Sequence, residues 1–186
     1  MSSLTGALLR CRDLIQSKHI LITGIDYNPL YVDASRKAIQ CSGLQSSINV
    51  KCMSIYESKG LAELLDRQGK EKFDAAYFSG SLSLMPDPVG ALLSVSSVVK
   101  GGGKIYVTQT FQKKSVPFLQ SMKPALKFVC TIDFGQLVMA DDILQIYEDS
   151  GLEVLEHGIL PGSVNNIWQA AYLSVLQVPS NLTEAK

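Results

Sequence analysis

Eight residues near the amino end, His19 to Asp26, read HILITGID. A short apolar run, bounded by Gly24 and the turn-forming Tyr27-Asn28-Pro29, predicts a parallel strand packed on both faces. The run stops at an acid. In doubly wound folds that bind an adenosine-containing cofactor, a carboxylate just past a strand end accepts hydrogen bonds from the ribose hydroxyls. Asp26 stands where such a carboxylate stands. The pattern therefore points to a nucleoside cofactor and says little about any particular substrate.

The rest of the chain must supply the layers around that strand. Its 186 residues suffice for one domain with a sizeable core, and 46% hydrophobic content marks a globular chain. Seventeen basic residues balance 17 acidic ones. Zero net charge argues against holding nucleic acid or an anionic membrane by bulk charge, so there is no strong nucleic-acid signal. No apolar run approaches the ~20 residues of a membrane span. The first twenty residues carry Arg10, Arg12, Asp13 and Lys18, which is not a secretory signal. Cys11, Cys41, Cys52 and Cys130 are widely spaced and contain no C-x-x-C pair. They read as buried free thiols of a reducing compartment, and cytoplasmic is the expected location.

Leu4, Leu8, Cys11 and Ile15 recur at helical spacing and predict a helix over 3–17. After the strand, Pro29 opens a second helix with Leu30, Ala34, Ala38 and Cys41 as its apolar stripe and Gly43 as its stop. Ile48–Ile55 is a second strand, and Leu61, Leu64 and Leu65 mark a short helix ending at Gly69. Phe73–Phe78 is a third strand, followed by the small polar trio Ser79-Gly80-Ser81. Pro86-Asp87-Pro88 starts the next helix, with Leu92, Val95 and Val99 buried and Gly101-Gly102-Gly103 as its end. Lys104–Phe111 is a fourth strand. This alternation predicts a parallel sheet with helices on both faces.

Residues 115–139 give no clean period and read as a short helix and a loop. Asp142 with Gln145 suits a capped helix start, with Ile143, Ile146 and Tyr147 buried and Gly151 as the stop. Leu152–Leu160 and Ile167–Leu176, joined by Pro161–Asn166, form an antiparallel pair. Trp168 reads as a packed strand residue. One domain over 1–178 and a flexible tail over 179–186 are expected.

This order resembles the class I S-adenosylmethionine-dependent methyltransferases. HILITGIDYNPLYVDASRKAI is similar to the family's strand, acid and helix that hold the cofactor ribose. INVKCMSIYE resembles the strand flanking the adenine, and FDAAYFSGSLSLMPDP the fourth strand with its active-site loop. VVKGGGKIYVTQTF resembles the glycine turn and fifth strand, and DILQIYEDSGLEVLE the later helix and sixth strand. The resemblance implies a Rossmann-like doubly wound α/β sheet, mostly parallel, with a carboxyl-terminal antiparallel pair. It also implies S-adenosyl-L-methionine as cofactor and a small molecule or a protein side chain as methyl acceptor.

One departure stands out. The family opens with a strand and a glycine-rich loop close to D-x-G-x-G, whose backbone approaches the cofactor. Here Met1 to Leu8 resembles the start of the helix after that loop, so the domain reads as amino-terminally incomplete. Three explanations stay open: a chain lacking its beginning, a diverged non-catalytic interaction subunit, or an oligomer or partner that supplies the strand and covers the open sheet. Without the missing central strand, those ending at Asp26 and Ser79 must pair with each other, gain a strand, or leave backbone groups unpaired. The 186-residue chain alone is expected to bind cofactor weakly or not at all.

The candidate cofactor residues are Asp26, Tyr27, Ser54, Ile55, Tyr56, Ser79, Gly80 and Ser81. Asp26 is the ribose acceptor, with helix capping as its alternative. Tyr27 packs beside the cofactor or stands as a surface aromatic. Ser54 occupies the place of the family's adenine-reading acid and offers a hydroxyl instead. Ile55 and Tyr56 line the adenine or simply pack at a strand end. Ser79, Gly80 and Ser81 line cofactor or substrate at a strand's carboxyl end. Where the family's amino-methylating members carry N/D-P-P-Y, this chain reads SGSLSLMPDP, which argues against adenine-amino or glutamine-amide acceptors. Asp87 is a helix cap. Gly101–Gly103 precedes a strand, so it is no phosphate loop. Gln109 and Thr110 face the cleft or form the polar half of their strand. His19 and His157 lack ligand-spaced partners, so no metal site is argued. No catalytic residue is assigned. A nicotinamide-binding enzyme, which shares the acid after the second strand, ranks below because of the closing antiparallel pair.

Overall fold

In the computed structural model, which describes residues 3–66, 71–112, 140–167 and 169–180, strand β1 covers only Ile22–Asp26. The residues before it end a helix. The predicted amino-terminal helix is broken at Cys11 into α1 (Ser3–Arg10) and α2 (Arg12–Ser17). His19 turns into the left-handed region at φ 52°. Its N–H donates to the Gln16 carbonyl, and the Ile20 N–H to that of Ile15. This pair of bonds closes a Schellman cap, so His19 stops a helix rather than beginning a strand.

The chain divides into two units, Met1–Leu64 and Leu65–Lys186. In the first, β1 pairs in parallel with β2 (Ile48–Cys52), from Ile22↔Ile48 to Asp26↔Cys52. Helix α3 (Pro29–Ser42) is the crossover between them. Asn28 caps it, accepting from the Leu30 N–H at 3.0 Å, and Gly43 ends it at φ 71°. The buried face of α3 is Val32, Ser35 and Ile39. The predicted stripe lies one residue, about 100°, away around the helix, with Leu30, Ala34 and Cys41 all exposed. Bulk decides the matter: Ile39 joins Ile15, Leu44 and Ile48 in the core, with Leu8, Leu9, Ile22 and Val50 against it. Alanines in the predicted stripe offer little area to bury. The cysteine reading changes with it. Cys11, Cys41 and Cys52 are free but exposed, not buried.

Strand β1 is half-buried at every position rather than packed on both faces. Its single strand neighbour among the described residues is β2. Helix α4 (Ser58–Asp66) follows, burying Leu61, Leu64 and Leu65 as predicted; Gly69 lies outside the described residues.

The second unit holds a sheet in the order β3-β4-β6-β5. Strand β3 (Phe73–Ser79) runs parallel to β4 (Val99–Gln112), and β6 (Gln169–Gln177) is antiparallel to both β4 and β5 (Glu153–Ile159). Between β3 and β4 runs α5 (Pro88–Ser96), capped by Asp87, whose Oδ1 accepts from the Gly90 N–H at 2.8 Å. The helix ends before the glycines predicted to stop it. Ser94, Ser96 and Ser97 turn their hydroxyls back onto carbonyls three or four residues earlier, which competes with helix continuation.

Gly101–Gly103 instead lies inside β4, where the register jumps from Phe73↔Val99 to Ala75↔Lys104. Gly102 takes φ 74°. A Cβ on Gly103 would meet Val99 Cγ1 at 2.6 Å and the Lys100 carbonyl at 2.7 Å. The glycines make a bulge, not a helix stop. The end of the second sheet is tied to the same bulge. Val178 is 2% exposed, and its main chain bonds in both directions with Gly102 and Gly103.

Helix α6 (Ala140–Asp149) buries Ile143 and Tyr147 and ends before Gly151 at φ 67°. The Gln145 side-chain amide donates to Asp149 Oδ1 at 2.9 Å. On β4 the side of Ile105, Val107 and Phe111 is buried, while Lys104 and Thr110 are exposed on the other. The fold is thus mixed α/β, with parallel ladders through β1–β4 and a closing antiparallel pair, as the sequence predicts. Strands β1 and β3 do not pair with each other; they sit in separate sheets. The segment 115–139, Cys130, Asp142's side chain, Trp168 and the tail beyond Ser180 lie outside the described residues.

Candidate functional site

The first unit gathers two of the three predicted groups of site residues at the carboxyl ends of β1 and β2. Asp26 ends β1 and is half-buried. Its Oδ1 accepts from the Asn28 N–H at 2.8 Å. Asp26 therefore does not cap α3; Asn28 does, and Asp26 orders the cap. That is the sole hydrogen bond of the carboxylate among the described residues, and it engages Oδ1 alone. Tyr27 is 80% exposed.

The Asp26 carbonyl accepts from the Met53 N–H at 3.1 Å, which ties the next loop to the same end of the sheet. In that loop Ser54 Oγ accepts from the Tyr56 N–H at 3.3 Å, and Glu57 Oε1 accepts from the Ser54 N–H at 3.1 Å. These bonds close a serine turn ahead of α4, with the Glu57 carboxylate holding its first amide. They make Ser54 a turn residue whose hydroxyl proton can still be donated. Ile55 is half-buried and Tyr56 is 39% exposed.

The second unit carries the third group. Ser79 ends β3 half-buried, and Gly80 leaves it at φ 65°. A Cβ built on Gly80 would meet nothing within 4 Å, so the glycine answers to backbone conformation and leaves open space beside it. The Gly80 N–H donates to the Thr108 carbonyl at 2.7 Å, and Thr108 Oγ1 pairs with Tyr77 Oη at 2.6 Å. Ser81 precedes the short 3-10 turn Leu82–Leu84. Gln109 is half-buried with an Oε1 that lacks a hydrogen-bond partner; Thr110 is exposed.

Sequence reasoning passed over Asn28, Glu57, Thr108 and Tyr77. Asn-Pro before a helical run and Ser-x-x-Glu are both readable cap signals. The Thr108–Tyr77 pair joins residues 31 apart, and no local pattern announces it.

An open cleft of about 300 Å³ lies elsewhere, lined by Arg36, Ile39, Gln40, Gln45, Ile48 and Val50. Arg36 is already committed there, donating through Nε and Nη2 to the Val50 carbonyl at 3.2 and 3.0 Å. Among the described residues no three His, Cys, Asp or Glu side chains cluster to hold a metal ion. No described helix is long and apolar enough to cross a membrane.

A family model described as a methyltransferase domain matches residues 5–107, more than half of the chain. The chain belongs to the methyltransferase-domain family. A curated relative, the ubiquinone biosynthesis O-methyltransferase of Coxiella burnetii, is 23% identical over 147 residues, which is 75% of this chain and 58% of the relative. The chain thus spans less than two thirds of the curated relatives it matches. Among solved structures, the geranyl diphosphate C-methyltransferase of Streptomyces coelicolor superposes with a TM-score of 0.63 at 9% identity, over 89% of this chain and 66% of that one. It was solved with Mg²⁺, geranyl diphosphate and S-adenosyl-L-homocysteine. The cyclase SpnF superposes with a TM-score of 0.61 at 16% identity, over 86% of this chain and 67% of that one. These likenesses place the fold among the class I S-adenosylmethionine-dependent methyltransferases, whose cofactor is S-adenosylmethionine. They also show that this fold serves a cyclase as well as methyltransferases.

Proposed function

We propose that this methyltransferase-domain chain contributes the ribose- and adenine-facing part of an S-adenosylmethionine site, in a cytoplasmic protein that methylates a small molecule or a protein side chain. The observation that carries this reading is Asp26: a half-buried carboxylate at the carboxyl end of a parallel strand, held through Oδ1 by the Asn28 amide. The donor–acceptor chemistry fits the cofactor, because vicinal ribose hydroxyls donate and a carboxylate accepts, as a charge-assisted pair. Ser54 can donate to an adenine ring nitrogen while its backbone stays in the turn. Ile55, Tyr56 and Tyr27 offer apolar and aromatic area to the base. The bend at Ser79-Gly80-Ser81 gives the second unit a small-residue edge suited to cofactor or acceptor. When bound, the sulfonium cofactor supplies the methyl group; positioning of donor and acceptor supplies much of the rate, with no strong base required.

The test is an amide NMR titration with S-adenosyl-L-homocysteine at millimolar concentration. Shifts at residues 26–31 and 53–57 that Asp26→Ala abolishes support the reading. Equal shifts in the variant, or a response to NADH in place of the S-adenosyl compound, overturn it.

A second reading, a non-catalytic interaction subunit, draws on one observation. Strands β1 and β3 each have one strand neighbour among the described residues, and such edges pair readily with a further strand. Sedimentation of the purified chain separates the two readings: a strictly monomeric, cooperatively folding species counts against it.

A further inference from the structure

Three polar side chains meet inside the second unit, away from every residue assigned above. Tyr147 on α6 is fully buried, and Ser174 on β6 is 1% exposed. The Tyr147 hydroxyl donates to Ser174 Oγ at 2.9 Å. His157 on β5 brings its Nδ1 to the same oxygen at 2.8 Å. The ring of His157 stacks on Tyr172 at 5.1 Å between centroids and lies 6.4 Å from Tyr147 and 6.5 Å from Phe111. The network therefore ties a helix to both strands of the closing antiparallel pair and to β4.

Hydrogen-bond direction in this chain follows from its donors. Tyr147 donates to Ser174, and in the Nε2–H tautomer of a neutral His157 the single serine proton is donated to Nδ1. The imidazole is then neutral, with its own proton on Nε2. Protonation gives Nδ1 a hydrogen as well. It must now donate to Ser174 Oγ, and both serine lone pairs are taken. The serine proton loses its acceptor. It can turn to Tyr147 Oη only if the tyrosine proton gives up the serine, and the tyrosine hydroxyl is closed off from water. Either way a buried hydroxyl is orphaned.

We propose that His157, Ser174 and Tyr147 form an acid-sensitive latch that holds α6 on the β5–β6 pair at neutral pH and releases it when His157 takes up a proton. The groups that bear on the ring are Tyr147 from α6, Ser174 and Tyr172 from β6, and Phe111 from β4. The carboxylates of its own strand, Glu153 and Glu156, and those of α6 at Glu148 and Asp149, are exposed. Burial lowers the His157 pKa below 6.5, and it pushes Tyr147 up to about 12, so the tyrosine stays protonated throughout. The sign follows from linkage. A histidine whose folded pKa lies below its unfolded value binds fewer protons in the folded state. The latch is intact above pH 6.5, and stability is lost as pH falls from there through the folded pKa.

The test uses the full chain, which has two histidines, so a His19→Gln variant leaves one imidazole to follow by NMR. His157 should titrate below 6.5. Amide hydrogen exchange of α6 residues 143–149, corrected for intrinsic rate, should accelerate about tenfold or more between pH 7.5 and 5.5, with the strands of the first unit changing less. The paired variant Tyr147→Phe with Ser174→Ala deletes both hydroxyls that acid can orphan and should cut that acceleration at least threefold, although His157 is still present. A His157 pKa at or above 6.5 overturns the proposal, as does an exchange acceleration that the paired variant leaves unchanged. Should that variant fail to fold, His157→Gln, which keeps a polar side chain at the position, must abolish the α6 acceleration; if it does not, the latch is refuted.

Discussion

Asn28 shows how a single residue connects the local fold to the candidate site. Its side chain caps α3 and its backbone N–H holds the Asp26 carboxylate. Asn28→Ala should therefore destabilise the chain by about 1 kcal/mol through loss of the cap, read as a lower urea midpoint at unchanged slope. Asn28→Asp should hold the midpoint near the parent value, since aspartate caps equally well. Asp26→Asn keeps an acceptor for the Asn28 amide but removes the charge, and should weaken S-adenosyl-L-homocysteine binding roughly tenfold, a difference of ~1.4 kcal/mol, with little change in stability. At this scale the sequence was legible for the place of Asp26 at the end of β1, because an acid after an apolar run is a local pattern. It was not legible for Thr108 and Tyr77, whose hydroxyls meet across two strands, nor for the buried face of α3, where a stripe of small residues and a stripe of larger ones sit one position apart and tertiary packing chooses.

The elements themselves were largely readable, since strand and helix periods, proline starts and glycine stops are written locally. Where the reading failed, a helix cap or a bulge had been taken for something else. Gly101–Gly103 shows this best: three glycines after a helix read as a stop, yet the stop is made by serines and the glycines serve the strand. The bulge yields a paired prediction. Gly103→Ala places a Cβ against Val99 Cγ1 and two carbonyls, those of Lys100 and Asp74, and should cost about 1–3 kcal/mol. Gly158→Ala on β5 meets nothing within 4 Å and should stay within about 0.5 kcal/mol of the parent. Thermal unfolding of the two variants side by side checks both.

Across the whole molecule, α/β class and the closing antiparallel pair follow from the order of elements, but the division of strands between two sheets does not, because hydrogen-bond partners far apart in sequence leave no local trace. The second sheet has a particular dependence on the end of the chain. Strand β4 pairs with β6, and Val178, just past β6, bonds with the bulge at Gly102 and Gly103. Removing the residues from Val178 onward should destabilise the second unit and lower its unfolding midpoint by several degrees while leaving amide protection in α3 and β1 unchanged, a pattern hydrogen exchange would resolve. The same order of strands has a consequence for synthesis. β4 is complete at Gln112, but its central partner β6 begins only at Gln169. At about 5–20 residues per second, a ribosome needs on the order of 3–11 s to deliver it. For that interval the nascent chain carries Ile105, Val107 and Phe111 on a strand lacking its antiparallel neighbour, and this is the window in which a chaperone would find the protein easiest to hold.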